Sequence, residues 1–420
     1  MPLVQLLSQG DELLTGQTVD TNAAWLSDHL IDLGFDVSQH TTVGDRSEQL
    51  TQTFSRLCGA DLVLCTGGLG PTEDDLTTSC LAEAFGMSLQ LDDVAMRAID
   101  SYFESRGYPI LPINRKLAML PEGCVRFDNH WGTAPGYAVQ HSGTWFVCMP
   151  GVPREMKPMF TSAVIPFLRE RFVLEPTHLI MFRTIGVGES TLQTKLQDVD
   201  TGEIQLGYRT RRPENQIKLR VPAHVDQTER ERVVQDIRTR IGDAIFSVEG
   251  WTSSEQGGSL EEIVARALTN EDATLATAES CTGGRVASAL TGVPGASSWF
   301  VGGVVAYSNE TKIRSLQVRP ETLEAHGAVS EAVARQMAEG VRVAHNTTYG
   351  LSVTGIAGPG GGSDAKPVGT VHIAVASPQT TVHRALQLRG TREHIQSLSA
   401  GEVLELLRRQ LHPTIQWENT

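Results

Sequence analysis

The stretch "ADLVLCTGGLGPTEDD" (residues 60–75) leaves an apolar run, enters a glycine-rich loop and ends on three carboxylates, Glu73, Asp74 and Asp75. Its first part reads as a strand, and the elements before it alternate with helices. "LVQLLSQGDELLTG" (3–16) reads as a short strand, a turn and a polar loop. "TNAAWLSDHLIDLG" (21–34) sets Ala23, Leu26, Leu30 and Leu33 at helical spacing and stops at Gly34. "FDVSQHTTVG" (35–44) alternates like a strand, and "SEQLTQTFSRLCG" (47–59) is helical again. Strands alternating with helices predict an α/β domain with a parallel sheet covered on both faces, over residues 1–165.

Residues 166–248 read as a small α+β insert. "THLIMFRTIGVGES" and "NQIKLRVPAHV" are its strands, and "QTERERVVQDIRTRI" is a helix with Val233, Val234, Ile237 and Ile241 on one side. A Gly- and Ser-rich linker is expected over 249–257. Ser259 then caps a helix, with Glu262 closing a capping box. Residues 258–412 mix strands and helices once more and form a second α/β domain.

The chain has 420 residues and a formal net charge of −14. An acidic surface repels phosphate backbones, so nucleic acid is an unfavoured partner. The basic run "GYRTRRPENQIKLRVPA" (207–223) reads as a solvated or interface patch, lacking the G-x-x-G clamp used on nucleic-acid backbones. Six scattered cysteines form no C-x-x-C pair, and no His cluster has zinc spacing. No signal peptide and no membrane-length apolar run is visible, which places the protein in the cytoplasm away from membranes.

Loops at the carboxyl ends of parallel strands are where open α/β sheets bind ligands. Gly67, Gly68 and Gly70 let backbone N–H groups approach a phosphate. Carboxylates next to such a cradle make sense when a divalent cation bridges them to an anionic substrate. Asp11 and Glu12, in the turn after the first strand, would supply further ligands. "NHWGTAPGY" (129–137) and "MPGVPREM" (149–156) add two further loops, and Asn129 and Gly151 are candidate substrate contacts.

"GDELLTGQTVDTNAAWL", "TGGLGPTEDDLT", "NHWGTAPGY" and "MPGVPREMKPM" occur in that order and resemble the N-terminal domain of the competence/damage-inducible protein A (CinA) family. The resemblance implies a molybdopterin-binding-like fold and metal-dependent hydrolysis of ADP-ribose to AMP and ribose 5-phosphate. Carried over by motif, Asp11 and Asp75 would be the metal ligands. Mg2+, Mn2+ or Co2+, with K+ alongside, would be the cofactor, and a homodimer is the expected assembly. The middle segment resembles a KH-like domain.

In the last domain "LATAESCTGGRVA" (275–287) poses a choice. Ser280 is either a helix cap for the run from Arg285 or a nucleophile held at the start of that helix. "VVAYSNETK" (304–312) and "SVTGIAGPGGGSDAKPVGTV" (352–371) also put polar or glycine-rich loops after apolar strands, so the three converge on one sheet edge. No histidine is near Ser280, so a lysine with a lowered pKa would be its base, and a tyrosine would relay or donate a proton. Gly283 and Gly284 would supply oxyanion donors at the helix start, and the long glycine loop would hold a phosphate. Thr282 stays open as the alternative hydroxyl, and Cys281 reads as core.

"TAESCTGG", "WFVGGVVAYSNETK", "HGAVSE" and "GIAGPGGGSDAKPVGTV" are similar to the family's C-terminal nicotinamide mononucleotide deamidase domain. That resemblance implies deamidation of nicotinamide mononucleotide to nicotinate mononucleotide and ammonia, without a metal. Ser280 would be the nucleophile, with Tyr307 and Lys312 as activating partners. Thr282, Gly283, Gly284, Arg285, Gly355, Ala357, Gly358 and Lys366 would contact the substrate. The competing readings are a non-catalytic nucleotide-binding scaffold in competence or DNA damage, and a pterin-binding relative.

Overall fold

The computed structural model describes residues 1–251 and 257–411. The chain divides into two compact units, Met1–Thr177 and His178–Thr420. Positions 252–256 of the expected linker, and residue 412, lie outside the described residues.

The first unit carries β1 (Leu3–Gln9), β2 (Asp36–Val43), β3 (Leu62–Thr66), β4 (Leu89–Leu91), β5 (Met119–Pro121), β6 (Val125–Phe127), β7 (Gly136–His141) and β8 (Thr144–Met149). Its main sheet has the order β2-β1-β3-β8-β7-β6, and β4 and β5 form a separate ribbon. β2, β1, β3 and β8 are parallel neighbours. All of β3 is buried, because Val63 and Cys65 face one apolar layer while Leu62 and Leu64 face the other. The sheet is not parallel throughout: β7 and β6 run antiparallel. The reason is local. His141 and Thr144 are joined only by Ser142 and Gly143, both at positive φ (50° and 84°), and a two-residue turn can only return the chain antiparallel.

The helix Ile165–Arg171 buries Phe167 and Leu168 in the first unit's core. That packing carries the unit to Thr177, past the boundary expected at residue 165.

The second unit begins with a sheet of order β10-β11-β9-β12, from β9 (Thr177–Thr184), β10 (Gln205–Arg211), β11 (Glu214–Pro222) and β12 (Ile245–Glu249). Val233, Val234, Ile237 and Ile241 of the helix Gln227–Ile241 are all buried against it. The last sheet joins β13 (Leu275–Glu279), β14 (Phe300–Val305), β15 (Tyr349–Gly355), β16 (Thr370–Ala376) and β17 (Thr381–Gln387) in the order β14-β13-β15-β16-β17. β14, β13 and β15 are parallel, so the loops that follow them emerge at one edge. β16 and β17 are antiparallel.

The helix Arg392–Gln410 closes this sheet's core and reaches the middle segment. Its Glu405, 1% exposed, accepts from Arg408 Nε at 2.6 Å and Arg409 Nε at 2.7 Å. Arg408 also donates to the Asp243 carbonyl at 3.2 Å. Removing the carboxylate strands a buried guanidinium. Glu405→Ala is expected to lower the unfolding free energy by about 3–5 kcal/mol, and adding Arg408→Met is expected to restore most of that loss in urea titrations.

Candidate functional site

The opening choice at Ser280 is decided by its neighbour. Glu279 ends β13 at 1% exposure. Its Oε2 accepts from Gly284 N at 2.9 Å and Val286 N at 3.1 Å, and its Oε1 accepts from Ala287 N at 2.8 Å. The helix Arg285–Thr291 is therefore capped by a carboxylate from outside it, and the Ser280 hydroxyl is left for other work.

That hydroxyl accepts from Lys312 Nζ at 3.1 Å. Lys312 sits in the helix Asn309–Leu316, is 1% exposed, and donates its other bond to the Ala306 carbonyl at 2.7 Å. Burial pushes the Lys312 ammonium below the ordinary lysine range. Burial also pushes the adjacent Cys281 thiol up to about 12, which makes it a poor thiolate. A hydroxyl and a desolvated amine in hydrogen-bond contact have the geometry that a nucleophile and its base require.

The remaining expected residues fall into two groups. Tyr307 makes no hydrogen bond to Ser280 or Lys312 among the described residues. It is 62% exposed, and its phenol oxygen accepts from Arg392 at 2.8 Å. Arg392 also donates to the Gly358 carbonyl at 2.9 Å, so it joins the loops after β14 and β15 at the mouth of the site. The motif reading missed Arg392, because it lies at a helix start 112 positions from Ser280 and outside every motif singled out there. Gly283 N donates to the Ser280 carbonyl and Gly284 N to Glu279, so neither is open for an oxyanion. The N–H groups of Cys281 and Thr282 carry no acceptor among the described residues. Thr282 Oγ1 is buried without a partner and makes no contact with Lys312.

Four other residues expected at the substrate have neighbours within the protein. Ala357 is buried in the apolar core. Gly355 closes against Val371 of β16, where a Cβ would lie 2.7 Å from its side chain. Arg285 Nε donates to Gln396 at 3.3 Å. Lys366 Nζ donates to the His326 and Val329 carbonyls at 2.7 and 2.8 Å, and so clamps two turns together.

In the first unit a cleft of about 530 Å³ is lined by Gly67, Gly68, Gly70 and Gly151 and by the carboxylates of Glu12, Asp45, Asp74, Asp75 and Glu155. Gly68 is obligatory: at φ +66°, a Cβ would lie 1.9 Å from Gln9 Oε1. Gln9 is itself fixed by Thr77 Oγ1 and by Asp45. Gly67 N donates to the Met149 carbonyl, so it offers no bond to a phosphate, and its loop packs on Gly151.

Asp75 holds the Thr72 N–H at 2.9 Å. Asp11 does not line the cleft; it exchanges backbone hydrogen bonds with Asp45, both at 3.1 Å. Asp45, in the turn after β2, is a cleft carboxylate that motif reading passed over. Asn129 also lies off this cleft, with its amide on the Ala134 carbonyl and Glu155 at 2.8 and 2.9 Å. Among the described residues no three His, Cys, Asp or Glu side chains converge as a ready metal cage.

A model described as "CinA C-terminal domain" matches residues 258–411, and one described as "Probable molybdopterin binding domain" matches residues 5–170. A CinA-like protein of Dictyoglomus thermophilum is 41% identical over 416 residues, spanning 97% of this chain and 98% of its own. The chain belongs to the CinA family. A second CinA-like protein, from an Anaeromyxobacter species, is 41% identical over 414 residues, with 97% and 99% covered. A solved structure of a competence/damage inducible protein from Agrobacterium tumefaciens is 40% identical, covers 37% of this chain and 96% of its own, and has a TM-score of 0.35. Among the described residues, no helix of this CinA-family chain is long and apolar enough to cross a membrane.

The cap assignment has a measurable consequence. Glu279→Ala leaves three buried or half-buried N–H groups without acceptors and is expected to cost about 3 kcal/mol in urea unfolding. Ser280→Ala, which uncaps nothing, is expected to stay within about 1 kcal/mol of wild type. Equal losses in the two variants would restore the cap reading of Ser280.

Proposed function

We propose that the C-terminal half is a serine amidase that converts nicotinamide mononucleotide to nicotinate mononucleotide and ammonia. The observation that carries it is the buried Lys312 amine 3.1 Å from the Ser280 hydroxyl. Neutral Lys312 takes the Ser280 proton as Oγ attacks the carboxamide carbon. The Cys281 and Thr282 N–H groups face no protein acceptor and are the donors for the resulting oxyanion. Lys312 returns the proton to the leaving nitrogen and ammonia departs. Water, deprotonated by the same amine, then hydrolyses the acyl-enzyme and frees the carboxylate. Arg392, which donates to Tyr307 and to the Gly358 carbonyl and keeps further guanidinium N–H groups, is the cation assigned to the ligand's phosphate in this reading.

The N-terminal cleft supports the second half of the reading, ADP-ribose hydrolysis to AMP and ribose 5-phosphate. Its carboxylates are the oxygen ligands that a hard divalent cation takes. Asp75 and Asp45 are the lining carboxylates next to the glycine loop. Such a cation supplies charge neutralisation at a pyrophosphate. The chain itself contributes the free N–H groups of Gly68, Leu69 and Gly70 for binding. A homodimer and a cytoplasmic setting belong to this proposal.

Ammonia release from nicotinamide mononucleotide, with chelator present, tests the first half. Wild type is expected to release ammonia, and Ser280→Ala and Lys312→Met to lose about 100-fold or more. Release that persists in Ser280→Ala would end the assignment. The rate should rise with pH as Lys312 deprotonates and level off below the ordinary lysine value of about 10.4. The stability sign is opposite to that of a paired lysine. Folding lowers the Lys312 pKa, so the charged amine weakens the fold at neutral pH, and the penalty fades as pH climbs toward the unfolded value. Lys312→Met should therefore melt no lower than wild type at pH 7, with any advantage shrinking by pH 10.

For the first unit, ADP-ribose hydrolysis should require added Mg2+ or Mn2+ and fall in Asp75→Ala. Full metal-dependent activity in that variant would remove Asp75 from the site.

A further inference from the structure

Cys281 and Thr282 are the central residues of a turn that Gly283 N closes by donating to the Ser280 carbonyl at 3.1 Å. The middle peptide of such a turn makes no hydrogen bond within it, so its tilt is set from outside. Here that peptide joins the Cys281 carbonyl to the Thr282 N–H. It is trans, so the two groups share one plane and point in opposite directions. Whatever grips the carbonyl therefore aims the N–H.

The grip comes from Gln396, in the helix Arg392–Gln410. Its Nε2 donates to the Cys281 carbonyl at 2.7 Å. Its Oε1 accepts from Arg285 Nε at 3.3 Å, which commits the other end of the amide to the carbonyl. The neighbouring Ile395, 1% exposed, seats this part of the helix in the apolar core. Gln396 follows Arg392 by four positions and lies on the same helix face. Arg392 holds the Tyr307 phenol and the Gly358 carbonyl. One face of a seated helix thus reaches the loops after β13, β14 and β15.

We propose that Gln396 is the positioning residue of the oxyanion hole: it holds the Cys281 carbonyl so that the Thr282 N–H points at the oxygen that gains charge when Ser280 attacks. This rests on the amidase reading of Ser280 and Lys312. A donor fixed before the reaction needs no reorganisation as the oxyanion forms. Donation to the carbonyl also polarises the peptide and strengthens its N–H as a donor. Gln396 acts through the peptide and not on the substrate, so its effect falls on the chemical step and not on binding.

The test follows ammonia release by the full chain across nicotinamide mononucleotide concentration and pH, for wild type, Gln396→Glu and Gln396→Leu. Gln396→Glu keeps the side chain's length and the acceptor for Arg285 and removes only the donor. Both variants are expected to lose about 10- to 100-fold in kcat, with KM within about twofold of wild type and melting curves that overlay it. In Gln396→Leu the plateau of the pH–rate profile should fall while its midpoint, set by Lys312, stays. A purely structural link through Arg285 would leave Gln396→Glu as active as wild type, and that result would overturn the assignment. A raised KM at unchanged kcat, or a loss of rate that tracks a lowered melting temperature, would overturn it too. A wild type that releases no ammonia would instead end the amidase reading and take this assignment with it.

Discussion

The Glu279 carboxylate, sunk at the end of β13 and gripped by three backbone N–H groups, is the constraint on which the C-terminal site depends. A helix that starts just after a buried strand must satisfy its first N–H groups without water. With that met by Glu279, Gly283 and Gly284 can turn through positive φ (63° and 100°), and the next side chain, Ser280, projects over the sheet edge with its hydroxyl uncommitted to the backbone. A carboxylate so near also keeps a second negative charge unwelcome, which agrees with the raised thiol of Cys281.

Burial acts in opposite senses at two charged groups of the same unit. Glu405 is enclosed between the Arg408 and Arg409 guanidiniums, and the pairs anchor the closing helix. Lys312 is enclosed with only a carbonyl and a hydroxyl, so its charge is disfavoured and its lone pair becomes available. The first arrangement joins a helix to its neighbours, and the second leaves a buried amine whose hydrogen-bond partners carry no charge.

The N-terminal cleft follows a different rule. Its floor is set by close backbone approach at Gly67, Gly68 and Gly151, and its walls by carboxylates from separate strand ends. Gln9, buried under the loop and bonded to Asp45 and Thr77, fixes both at once.

Much of this was legible in the linear chain, because it depends on local patterns. Apolar runs and glycine stops mark the strands and helices, and strand-end loops mark Ser280, Lys312 and the Gly67–Gly70 turn as candidates. The capping box at Ser259 and Glu262 also forms as read. What the sequence could not settle depends on contacts distant along the chain. The reversal of β7, the extension of the first unit to Thr177 and the placement of Arg392 beside Tyr307 each depend on which surfaces pack together. Glu279 capped the helix that the Ser280 hydroxyl was a candidate to cap, and Lys366 turned to two carbonyls. A polar side chain takes the nearest unmet partner in space, and only the folded chain decides which partner that is.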